Sequence, residues 1–91
     1  MKRKEKVATK EYTYTAVFEP AEEGGYVVTF PALPGCATQG ESLEEARAMA
    51  ADALRGYLEI LVEEGRPLPP DAPEVWTEPI RAWVSAEPKT A

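Results

Sequence analysis

The chain reads as an α+β domain in the order β-β-β-α-β, an antiparallel sheet with one helix packed on one face. Three observations predict it. Residues 12–18 alternate in polarity and 26–30 are all β-branched or aromatic. A helix-capping signal at Ser42 opens a run with three-and-four apolar spacing. A proline-rich stretch then closes that run before a last β-rich segment at 80–84.

The first strand follows Glu11. Tyr12, Tyr14, Ala16 and Phe18 share one face and Thr13, Thr15 and Val17 the other, so the aromatic face is expected inward. Pro20 to Gly25 is a polar turn with two glycines free to take positive φ, which joins this strand to the next as an antiparallel hairpin. The second strand is Tyr26 to Phe30, stopped by Pro31 because proline has no N–H to donate. Pro34-Gly35 marks a second bend, and Cys36 to Gln39 supplies a short third strand.

Ser42-Leu43-Glu44-Glu45 has the form of a capping box, in which the Ser42 hydroxyl caps the helix and Glu45 reaches back to the Ser42 amide. The helix is expected to begin at Leu43. Leu43, Ala46, Ala50, Ala53 or Leu54, Tyr57, Leu58 and Leu61 form its inner stripe, with Glu44, Arg47, Ala51, Arg55, Glu59 and Glu63 outside. Gly65 is placed as the C′ residue, and Pro67, Pro69 and Pro70 forbid continuation, so the helix ends near Glu64. Four prolines between Arg66 and Pro73 predict an extended, semi-rigid connector. Ile80 to Val84 is expected as the last strand, with Pro79 at its start.

Ninety-one residues suffice for one small domain, and association with a second copy would help it bury a core. Residues 1–10 form a basic tail and 86–91 a flexible end, with the domain from 11 to 85. Five of the 10 basic residues (Lys2, Arg3, Lys4, Lys6, Lys10) lie in that tail beside Glu5, which leaves 5 basic and 15 acidic residues from Glu11 onward, a net charge of −10. Direct nucleic-acid binding by the body of the domain is therefore not expected, and a basic protein partner fits better. The tail reads as a solvated end rather than an electrostatic arm.

One cysteine and no histidine exclude an internal disulfide and the usual zinc sets, and no cofactor is implied. No apolar run approaches the ~18 residues of a membrane span, and the charged start has no signal-peptide core. The expectation is a cytoplasmic protein. With no asparagine, one glutamine and abundant Glu, Arg and Pro, the composition is thermophile-like.

The motif from Phe30 onward, F-P-A-L-P-G-C, followed by Thr38, Gly40, Ser42, Leu43, Glu45, Ala46 and the helix with Ala50, Ala53, Tyr57 and Leu58, resembles the HicB antitoxin family. The likeness covers about two thirds of the chain, and the motif that carries it runs from Gly25 to Leu61. It implies a fold related to a truncated ribonuclease H sheet without the catalytic carboxylates. It also implies a role in a type II toxin-antitoxin pair, where the partner, HicA, is a small basic toxin with a double-stranded-RNA-binding-like fold that cuts mRNA. Many members continue into a C-terminal DNA-binding helix-turn-helix or ribbon-helix-helix. Here 26 residues follow Gly65, proline-rich and then strand-like, so a short stand-alone form without operator binding of its own is expected. The connector Leu68-Pro69-Pro70-Asp71 stands where relatives more often carry an I-P-x-P-S-like sequence.

Toxin contacts are expected at the outer helix acids Glu44, Asp52, Glu59 and Glu63 and on the loop at Pro31, Leu33 and Pro34. Met49, Ile60 and Trp83 are the candidates for contacts within a homo-oligomer, a dimer or tetramer. Two other classes of function compete. One is an orphan oligomeric binding module without a toxin. The other is a metal-dependent, ribonuclease H-like nuclease built on Glu11 or Glu19 with Glu44, Glu45 or Asp52. The acids are spread over exposed positions and the first strand has no Asp, which disfavours the nuclease. Cys36 and Ser42 lack a histidine base, so they read as a small core residue and a cap rather than as nucleophiles.

Overall fold

A computed structural model describes residues 10–85 of the chain. Three strands, β1 (Val17–Pro20), β2 (Tyr26–Thr29) and β3 (Ala37–Gly40), precede one helix, α1 (Leu43–Glu63). The strands form a single antiparallel sheet in the order β1-β2-β3, with Val17 opposite Thr29 and Val28 opposite Thr38. The tails expected at 1–10 and 86–91 lie outside the described residues, apart from Lys10, which is exposed.

β1 starts five residues later than the alternating pattern predicts. The register explains the loss: continuing it upstream of Val17 would set Ala16 against Phe30 and Thr15 against Pro31. β2 ends at Thr29, and Pro31 just beyond it has no N–H to give a strand at Thr15, so residues 11–16 have no ladder to join. The face they present is nonetheless the expected one, since Tyr14, Ala16 and Phe18 pack against the core. The Pro20–Gly25 turn is closed by the Ala21 amide on the Gly25 carbonyl (2.9 Å) and the Gly24 amide on the Ala21 carbonyl (3.0 Å).

The helix begins where its cap predicts. Ser42 is extended and its hydroxyl accepts from the Glu45 amide at 3.0 Å. The Glu45 carboxylate reaches back one residue further than expected, to the Glu41 amide at 2.7 Å instead of the Ser42 amide. At the other end Gly65 has φ +69°, the Arg66 amide bonds the Leu61 carbonyl (2.9 Å) and the Gly65 amide bonds the Val62 carbonyl (3.0 Å). This pair of bonds is the Schellman stop that a C′ glycine permits.

α1 lies on β3 and β2. Ala46 and Ala50 let it approach closely, and Leu58 and Leu61 complete a core with Val28, Phe30, Leu33 and Cys36. Leu43, assigned to the inner stripe, is exposed in the first turn of the helix. Gly40 faces the first turn so closely that a Cβ there would stand 2.5 Å from the Ala46 nitrogen. The sheet and helix meet at van der Waals distance only because that side chain is missing.

The fourth strand does not form. Ile80 to Val84 has no strand geometry, and its side chains are exposed. A strand needs a neighbour for its N–H and C=O groups, and among the described residues none lies alongside this segment. Among the described residues no helix is long and apolar enough to cross a membrane.

Candidate protein-binding face

The outer surface of α1 is set by helical spacing. At 100° per residue, Glu44, Asp52, Glu59 and Glu63 fall within an arc of roughly 100°, and all four are exposed. They do not form one cluster. Glu44 is some 22 Å along the axis from Glu59, and Asp52 is paired with Arg55 one turn on. Glu59 and Glu63, one turn apart, are the pair that the fold brings together.

Beside that pair runs an apolar groove of about 720 Å³, walled by Tyr12, Ala51, Leu54, Leu58, Val62 and Leu68. Lys10, Arg55, Glu59 and Glu63 stand on its rim, two charges of each sign. The groove escaped the sequence reading, although Leu54, Leu58 and Val62 follow one another at i, i+4 and i+8. That row is a helical signal for an apolar stripe. Its other wall needs Tyr12 and Leu68, and nothing local says that they meet.

The loop after β2 sits on a different flank. Leu33 is fully buried, so it anchors the loop in the core and offers no contact surface, which corrects its assignment as a contact residue. The Leu33 amide bonds the Phe30 carbonyl (2.9 Å), the Cys36 amide bonds the Leu33 carbonyl (3.0 Å), and the Tyr57 hydroxyl donates to the Pro34 carbonyl at 2.9 Å. Pro31 and Pro34 remain exposed on this pinned loop. Tyr57 lies about 160° around the helix from Glu59, so Pro31 and Pro34 and the Glu59–Glu63 pair face different directions.

Met49 and Ile60, the helical candidates for self-contact, are exposed and share a third aspect of α1. Met49 borders a shallow cleft of about 530 Å³ beside Gly25, Gln39 and Glu45. Trp83 stands apart from both, in the segment after the connector.

The candidate nuclease carboxylates do not converge. Glu11 and Glu19 are exposed near the first strand, Glu45 caps the helix, and Asp52 holds Arg55. Among the described residues no three His, Cys, Asp or Glu side chains are grouped to hold a metal ion. Cys36 is buried, its thiol is 3.8 Å from the Ala53 carbonyl, and burial pushes its pKa up. The surface of this small sheet-and-helix unit thus carries three separate features: an acidic helix face, an apolar groove and a pinned proline loop.

The model for the HicB-like antitoxin of bacterial toxin-antitoxin systems matches residues 14–84, from just before β1 through the helix to the last β-rich segment. The chain belongs to the HicB-like antitoxin family. Antitoxin HicB 1 of Photorhabdus laumondii is 44% identical over 64 residues, which is 70% of this chain and 41% of that protein. A UPF0150 protein of Thermoplasma acidophilum is 43% identical over 61 residues, covering 67% of this chain and 88% of the relative. Antitoxin HicB of Escherichia coli K12 is 38% identical over 60 residues, covering 66% and 44% respectively. The chain thus spans less than half the length of the two relatives named HicB and most of the UPF0150 protein. The motif read from the sequence, Gly25 to Leu61, lies inside the matched residues.

Proposed function

We propose that this chain is the antitoxin of a type II pair and neutralises a small basic HicA-like mRNA interferase by covering the surface that takes RNA. The observation that carries this reading is the outward face of α1. Glu44, Glu59 and Glu63 are exposed, form no ion pair among the described residues, and have no basic residue in the last helical turn to offset them. Four acids against Arg55 leave this arc of the helix net negative, and a net negative face draws in a basic partner and fixes its orientation. The names of the HicB relatives support the antitoxin role.

In this reading the chain acts by binding and not by catalysis, in the cytoplasm where the toxin meets mRNA. Contact centres on Glu59 and Glu63, with Glu44, Asp52, Pro31 and Pro34 at the margins. Direct DNA binding is not part of it, because the chain from Glu11 onward carries a net charge of −10.

The test is co-expression with a small basic protein encoded beside this chain. Growth arrest that this chain relieves supports the proposal, and toxicity it leaves untouched overturns it. With the purified pair, E59K/E63K is expected to weaken binding by roughly tenfold or more at low salt. Unchanged affinity would move the contact surface off the helix.

A further inference from the structure

Beyond Asp71 the chain carries large apolar side chains that cover nothing. Val75 is 43% exposed, Trp76 and Ile80 80%, Trp83 88% and Val84 80%. None of them joins the core or the half-buried shell around it, whereas Leu68, a few residues earlier, does. The direction of this arm is set by its root, where Asp71 is tied to Thr15 by two hydrogen bonds of 3.0 and 2.7 Å, with Pro70 and Pro73 stiffening either side. So many exposed large apolar groups in ten residues are unfavourable in water, and their cost is relieved by a surface that accepts them.

We infer that the arm from Val75 to Val84 docks into the α1 groove of a second copy of this chain, and that the second copy returns its own arm, giving a reciprocal two-fold dimer. The groove matches the arm in kind. Its floor of Leu54, Leu58 and Val62 is apolar, and its volume of about 720 Å³ has room for the indole rings. The rims match in charge: Lys10 and Arg55 of the groove meet Glu74 and Glu78 of the arm, which leaves Glu59 and Glu63 to the toxin. The area is sufficient as well. Two tryptophans at up to ~250 Å² each, presented by two arms and matched by the surfaces they cover, bring the buried total to on the order of 1,600 Å², the size of a stable interface. Buried tryptophans are also the usual energetic anchors of such contacts.

Both tryptophans of the protein lie in the arm, so the intact chain reports its own docking. Sedimentation equilibrium and tryptophan emission are read across a dilution series. The expected result is a dimer of twice the 10.0 kDa chain mass whose emission moves to longer wavelength as it dissociates. W76A/W83A and, separately, V62D each weaken association more than tenfold. Val62 and both tryptophans are exposed, so circular dichroism is expected to be unchanged; if V62D loses structure, A51E blocks the groove in its place. A mixture of V62D with W76A/W83A holds one intact groove and one intact arm, and it is expected to form a heterodimer that neither forms alone. Three results would overturn the inference. One is a dimer that survives both variants. Another is a monomer with short-wavelength emission at every dilution, which places the arm on its own groove. The third is a monomer whose emission shifts only when a basic toxin is added, which gives the arm to that partner.

Discussion

Thr15 binds Asp71 twice across 56 residues of chain: its amide donates to Oδ1 at 3.0 Å and its hydroxyl to Oδ2 at 2.7 Å. Next to this pair the Tyr14 hydroxyl donates to the Pro69 carbonyl. Together they fasten the connector to the segment leading into β1, close Leu68 over the helix groove, and determine where the arm leaves the domain.

The tether has a pH signature. The Thr15 amide, then the Thr15 hydroxyl, hold the Asp71 carboxyl below its ordinary value of 3.8. A carboxyl whose folded pKa is depressed stabilises the fold above its unfolded pKa, and the contribution is lost as pH falls through the lower folded value. The Thr15 amide resonance is therefore expected to titrate with a midpoint below 3.8, and D71N is expected to abolish that titration. A midpoint at or above 3.8 in the intact chain would mean that the carboxylate is not held.

Gly40 is expected to tolerate no side chain. A Cβ would stand 2.5 Å from the Ala46 nitrogen and 2.6 Å from its Cα, both backbone atoms that cannot rotate away. G40A should cost about 1–3 kcal/mol through forced separation of β3 from α1, read as a lower midpoint in urea unfolding. An unchanged midpoint would show that the helix yields freely.

Leu33 is a core residue on a loop, so L33A should behave as a cavity mutation. A loss of about 2–5 kcal/mol is expected, a large share of the ~5–15 kcal/mol typical of a whole domain. P31A, exposed on the same loop, should change stability little. Equal losses from the two would contradict the burial of Leu33.

Cys36 should be inert in the native protein. It is buried and its thiol is held protonated by desolvation, so the reactive thiolate is scarce at pH 8. Alkylation by iodoacetamide is expected to follow unfolding, accelerating in step with added urea. Prompt modification in native buffer would place the thiol at the surface.

Local elements were legible because their determinants lie within a few residues of one another. The run Tyr26 to Thr29, the Ser42 cap with Glu45, and the Gly65 stop all stand where the residues indicate. The acidic helix positions were legible for the same reason, since exposure follows from helical spacing. What the pattern misjudged depended on partners it does not show: the upstream half of the first strand runs past the end of β2, opposite Phe30 and Pro31, and Glu45 chose the Glu41 amide over that of Ser42. The groove required Tyr12 and Leu68 to meet across the helix, which no local spacing announces.

The sequence by itself determined the three strands, the helix with both its ends, and the family to which they belong, because β-propensity, capping and proline punctuation act over one or two turns of chain. Only the tertiary structure decided that Leu33 is core, that Asp71 holds Thr15, and that Ile80 to Val84 is an exposed arm instead of a strand. The physical reason is the same in each case. Burial and sheet pairing need a second surface, and where that surface comes from is a property of the folded chain.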